Sequence, residues 1–158
     1  MFLYEVFPPE LIKTGLTADN KDGVFQEMVD HFCLTGKAGT RDEILEVLWD
    51  RESKMSTGIT NGVAIPHGIT DSVDSVHGIL GISKTGIDYD ALDKKPVHLV
   101  FMLLAPKNLT ERYMQLLAHL AELLENPDFI KDLAAQTDPE SANQILNQYE
   151  KKSFPGKL

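Results

Sequence analysis

The chain has 158 residues, 42% hydrophobic and 25% charged, a balance that supports one folded domain with its own core and excludes a disordered segment. Its 15 Lys and Arg against 24 Asp and Glu give a net charge of −9, the wrong sign for gripping nucleic acid or anionic lipid by counterion release. Cys33 is the single cysteine, so an internal disulfide and a cysteine zinc site are excluded, and a reducing, cytoplasmic setting is expected.

Residues 1–10, with Pro8 and Pro9, are apolar but lack a basic n-region, and no stretch approaches the ~18 apolar residues of a membrane span. They read as an N-terminal extension that packs weakly, ahead of a single domain over 11–150 and a loose tail over 151–158. Between Asp19 and Leu34 the apolar residues Val24, Phe25, Met28, Val29 and Phe32 recur at helical spacing, which predicts a first amphipathic helix. Thr40 and Glu43 have capping-box spacing, and Ile44, Leu45, Val47 and Leu48 carry a second helix toward Arg51.

Met55 to Asp71 holds Gly58, Gly62 and Gly68 around Val63-Ala64-Ile65-Pro66-His67 and reads as loop, short strand, loop. Val76–Ser83 predicts a strand, and the nearly continuous apolar run Val97–Ala105 predicts a strand buried on both faces. Residues 110–125 are helical, with Tyr113, Leu116, Leu117, Leu120, Leu123 and Leu124 on one stripe. Asn126-Pro127 and Asp138-Pro139 each place a cap before a proline and open two further helices. The expected fold is therefore α/β: a mixed β-sheet sandwiched by helices on both faces of a single domain.

Common catalytic signatures are missing. There is no G-x-S-x-G and no H-E-x-x-H, and Gly81 to Gly86 has Walker spacing but is followed by Ile87-Asp88. His31, in the first helix, reads as an ordinary surface or half-buried residue, His77 and His98, at strand starts with apolar neighbours, read as structural imidazoles, and no pair of histidines has metal-ligand spacing. No metal and no cofactor is called for. His67 differs, because Pro66 fixes φ before it and Gly68 after it permits another molecule to come close. Two roles stay open for it on spacing alone: a structural imidazole, or a presented one whose neutral ring offers a lone pair to phosphorus. Thr57 and Asn61 read equally as hydrogen-bond donors to an anion and as turn residues, while Glu52 orders its loop or meets solvent.

From Arg51-Glu52 through Ser56-Thr57-Gly58 and Asn61-Gly62 to Ala64-Ile65-Pro66-His67-Gly68, the segment resembles the fructose/mannitol-type enzyme IIA family of the bacterial phosphoenolpyruvate-dependent sugar phosphotransferase system, nitrogen-regulatory members included. Pro96–Phe101 is similar to the family's central strand and Leu116–Ala121 to its later helix. The resemblance implies that His67 accepts a phosphoryl group from the phosphocarrier HPr and passes it to a IIB component or, in the regulatory alternative, that phosphorylation controls binding to a target protein. It implies Arg51 as the cation beside the phosphoryl group, with Thr57, Asn61 and Gly68 in support. Many family members carry a second active-site histidine, and the aligned position here is Tyr113, whose hydroxyl is a candidate replacement donor. His119 lies six residues on, about 240° around the helix, and is expected on its polar side with Gln115 and Glu122.

Overall fold

A computed structural model describes residues 2–36 and 40–154. Its helices are α1 (Leu3–Val6), α2 (Lys21–Leu34), α3 (Arg41–Glu52), α4 (Thr110–Leu123), α5 (Pro127–Ala134) and α6 (Pro139–Ser153). Its strands are β1 (Ile12–Lys13), β2 (Val63–Ala64), β3 (His67–Ile69), β4 (His77–Ile87) and β5 (Val97–Ala105). Sequence signals mark most boundaries. The side chains of Asn20, Asn126 and Asp138 accept from the N–H groups of Gly23, Asp128 and Ser141 at the starts of α2, α5 and α6, satisfying donors that the first turn leaves unpaired. At α3 the capping box does not form: the Thr40 side chain makes no cap bond to the backbone, and the Glu43 carboxylate accepts from the Ser72 hydroxyl instead.

The sheet runs β1-β4-β5-β2, with β3 also on β5. β4 and β5 are antiparallel, whereas β1 pairs β4 and both β2 and β3 pair β5 in parallel. The mixed sheet is thus as expected. β2 and β3 lie in line along one side of β5, Val63 opposite Leu99 and His67 opposite Leu103, so one edge strand is broken at Ile65-Pro66. β4 runs to Ile87, past the predicted end at Ser83, through a register shift between Ile82 and Ile87.

Alternation along β5 divides the core. Leu99, Phe101, Leu103 and Ala105 pack toward α4, α5 and α6, and Val100, Met102 and Leu104 toward α2 and α3. Both faces are covered, which is why this strand reads as an unbroken apolar run. The N-terminal residues correct an expectation. Leu3 and Phe7 are fully buried, the Leu3 and Tyr4 N–H groups donate to the Glu150 carboxylate, and the Asn143 amide donates to the Tyr4 and Phe7 carbonyls. These ties span more than 130 positions in the chain, so no local pattern announces them. Phe154, within the expected loose tail, is also buried; residues 155–158 of that tail lie outside the described residues.

Candidate functional site

The strand break at Ile65-Pro66 builds the site. Ile65 sends its N–H to the Thr57 carbonyl (3.0 Å), and its own carbonyl receives a hydrogen bond from Nδ1 of His67 (2.7 Å). A carbonyl only accepts, so Nδ1 carries the ring proton and Nε2 keeps its lone pair. The imidazole is half-buried at the start of the edge strand β3. Burial is the largest influence on its pKa and pushes it below the ordinary 6.5; the Arg51 charge adds to the depression and the Ile65 hydrogen bond opposes it. The neutral, nucleophilic ring therefore prevails at neutral pH.

Arg51 comes from the last turn of α3, the helix that packs against β3. Its Nε donates to Nε2 of His67 (3.2 Å), and its Nη1 donates to the Met55 carbonyl (2.9 Å). The guanidinium is thus held over the nucleophilic nitrogen with donors left for an arriving anion. Gly68 lets α3 come this close: a Cβ there would lie 2.3 Å from Cγ1 of Val47. Its small size serves the packing of the helix, and the residue also lines the cleft beside His67.

Tyr113, at the start of α4, faces His67 with ring centroids 6.2 Å apart. Burial raises its hydroxyl well above the usual tyrosine range, so it remains a proton-bearing donor. Arg51, His67, Gly68 and Tyr113 share the wall of a cleft of about 400 Å³ with Lys54, Met114 and Leu117. Met55, Leu92 and Met114 are each more than half exposed around the site, supplying an apolar rim.

Two predicted residues are placed differently. The Thr57 hydroxyl is buried and engaged, donating to Glu52 Oε1 (2.6 Å) and standing 2.7 Å from the Tyr89 hydroxyl, so it braces the loop instead of pointing at the nucleophile. Asn61 is exposed at the tip of a turn, left-handed at φ 58° and followed by Gly62 at φ 76°, where turn chemistry accounts for both residues. It lines neither pocket around His67. His119 does not lie on the polar side of α4; its ring packs 3.7 Å from that of Phe154, with Nε2 3.8 Å from Glu150. Sequence reasoning missed the Glu52 network with Lys21 and Tyr89; the Glu52 to Thr57 spacing at a helix end is its one local sign. Among the described residues, no three His, Cys, Asp or Glu side chains converge as a metal set.

The family model "Phosphoenolpyruvate-dependent sugar phosphotransferase system, EIIA 2" matches residues 5–149. The chain belongs to this family. It is 35% identical over 151 residues to the PTS system fructose-specific EIIABC component of Bacillus subtilis, covering 96% of this chain and 24% of that protein. It is therefore similar to about a quarter of that multicomponent relative. A stand-alone family member, the PTS system fructose-specific EIIA component of Haloferax volcanii, is 32% identical, with 89% of this chain and 92% of that protein covered. Among solved structures, nitrogen regulatory protein IIA-Ntr from Neisseria meningitidis superposes with a TM-score of 0.83 at 30% identity, covering 91% of this chain and 98% of that one. The α/β architecture described above is thus the family's architecture.

Proposed function

We propose that this IIA chain is a phosphocarrier: Nε2 of His67 accepts a phosphoryl group from the phosphohistidine of HPr and passes it to a IIB component during sugar uptake. The observation that carries this reading is the pair of hydrogen bonds on the imidazole, Nδ1–H to the Ile65 carbonyl and Arg51 Nε–H to Nε2. Together they present a lone pair and a cation at one point.

In the transfer, the Nε2 lone pair attacks phosphorus in line with the donor's P–N bond. A new P–Nε2 bond forms as the old one breaks, and its electrons return to the donor imidazole. The ring of His67 becomes cationic, a form the Ile65 carbonyl stabilises by accepting the hydrogen bond from Nδ1–H. Arg51 meets the phosphoryl oxygens as the group arrives, and the Tyr113 hydroxyl is the second donor. Discharge to IIB reverses these steps: the P–Nε2 electron pair returns to the cationic ring, which leaves as the neutral imidazole. The chemistry makes the protein a phosphotransferase that is itself the covalent intermediate, acting in the cytoplasm, where its donor works. The apolar rim of Met55, Leu92 and Met114 docks the partners, and the negative charge steers their basic faces.

Incubation with phosphoenolpyruvate, enzyme I and HPr should place acid-labile phosphate on the wild type and none on His67→Ala; subsequent addition of IIB should remove it. An unlabelled wild type sinks the carrier reading. The similarity to IIA-Ntr favours a second reading, in which phosphorylation of His67 controls capture of a regulatory target. Label that reaches His67 but never leaves for any IIB would support it.

A further inference from the structure

Arg51 and His67 come from separate elements, the end of α3 and the start of β3, yet one short stretch of backbone ties both, Arg51 directly and His67 through Ile65. Arg51 Nη1 donates to Met55 O. His67 Nδ1 donates to Ile65 O, and the Ile65 N–H is in turn tied to Thr57 O. The stretch that sets the geometry of both is therefore Met55 to Thr57.

Glu52 closes this stretch. Its carboxylate is nearly sealed from solvent, with the residue 6% exposed. Oε2 accepts the Thr57 N–H (2.8 Å) and Oε1 the Thr57 hydroxyl (2.6 Å). Lys21, the first residue of α2, brings its ammonium to 3.0 Å from Oε2 and lies 4.9 Å above the Tyr89 ring. Because the Thr57 hydroxyl spends its proton on Glu52, the Tyr89 hydroxyl at 2.7 Å is the donor to Thr57 Oγ1. The buried anion is thus matched by one cation and two direct hydrogen bonds, the condition under which a buried carboxylate is tolerated. From Thr57, which the carboxylate holds, one arm runs back two residues along the chain to the Met55 carbonyl and Arg51, and the other runs through Ile65 to His67.

We infer that Glu52, held by Lys21 and Thr57, is a positioning residue for phosphoryl transfer: it fixes the guanidinium of Arg51 against Nε2 of His67 without touching the phosphoryl group. This rests on the carrier reading above. The inference fits the local order of residues, since the functional arginine and the positioning glutamate are neighbours at the end of α3 but point to different partners. A misplaced guanidinium slows the chemical step and leaves the docking surface intact, so the signature is a fall in kcat with KM preserved.

The test begins with labelling of the wild type by phospho-HPr; failure there defeats the carrier reading itself. With the wild type active, Glu52→Gln retains an acceptor for Thr57 but loses the charge that holds Lys21. It should lower kcat for transfer ten- to a hundredfold while KM for phospho-HPr stays within about twofold. The Arg51 Nε–H resonance, shielded from exchange by its bond to His67, should broaden or vanish in the same variant. Wild-type kcat, or an unchanged Arg51 resonance, overturns the inference. If Glu52→Gln does not fold, Thr57→Val and Thr57→Ser decide: Thr57→Val should lose several-fold in kcat and Thr57→Ser recover most of it, whereas equal rates in Thr57→Val and wild type overturn the inference.

Discussion

Nε of Arg51 donates across 3.2 Å to Nε2 of His67, the nitrogen that attacks phosphorus in the proposed transfer. Before the reaction the guanidinium occupies the lone pair; when the phosphoryl group arrives, the donor must pass from nitrogen to a phosphoryl oxygen. The Met55 carbonyl holds the other end of the fork during that exchange. A lysine has charge but no planar fork that can keep both contacts. Arg51→Lys should therefore slow phosphorylation by phospho-HPr by ~100-fold and Arg51→Ala by up to ~1,000-fold, read by rapid-quench kinetics, with His67 still the labelled residue.

Protonation of His67 removes the nucleophile, and burial and Arg51 both disfavour it. An NMR titration of the ring should give a midpoint below the ordinary 6.5, and the acceptor rate should hold as pH falls to that value before it declines. The same shift contributes to stability. With the folded pKa depressed, the unfolded chain binds more protons below its own pKa. The His67 contribution is present above that pKa and is lost as pH falls through the folded one. His67→Gln should flatten this part of the curve of melting temperature against pH.

Gly68→Ala puts a methyl group 2.3 Å from Cγ1 of Val47, inside the packing of α3 on β3. We expect a loss of ~1–3 kcal/mol in denaturant unfolding. Transfer should also slow, because the helix that must yield carries Arg51. Val47→Ala removes the clashing atom and leaves the next nearest contacts at 3.6 Å. The double variant should recover a large part of the transfer rate, while independent, additive losses would contradict this account.

Tyr113→Phe removes the hydroxyl from a ring whose centroid lies 6.2 Å from that of His67. As donor to the phosphoryl group it should be worth about 1 kcal/mol, or roughly five-fold in transfer rate. Burial holds the phenol in its protonated form well above neutrality, so the deficit should be constant from pH 6 to pH 9, a range set by ~10 for an unperturbed phenol. A deficit that appears at one end of that range would assign the effect to something else.

The buried Glu150 carboxylate receives the Leu3 and Tyr4 N–H groups. Glu150→Ala leaves both without their acceptor and should cost ~2–4 kcal/mol of stability. Hydrogen exchange should show protection lost first over residues 2–7. The His67 site draws on α3, β3 and α4, so transfer measured below the new melting temperature should remain near that of the wild type.

Much of this fold was legible from local chemistry. Asn126-Pro127 and Asp138-Pro139 mark helix starts, and the apolar run of β5 reports burial on both faces, because caps and periodicity act within a few residues. The motif that ends in Pro66-His67-Gly68 likewise pointed to the proposed nucleophile and, sixteen positions earlier, to the arginine that the structure places against it. What tertiary structure decided is how each of these residues is used. Thr57 became a brace because a buried carboxylate claimed its hydroxyl, and Gly68 became a helix contact because Val47 fell opposite it. Residues 2–7 joined the core because Asn143 and Glu150, distant in the chain, supplied their hydrogen bonds. Caps and strand patterns are paid within a turn or two of chain, whereas a buried polar group takes whichever partner the packed elements bring within reach.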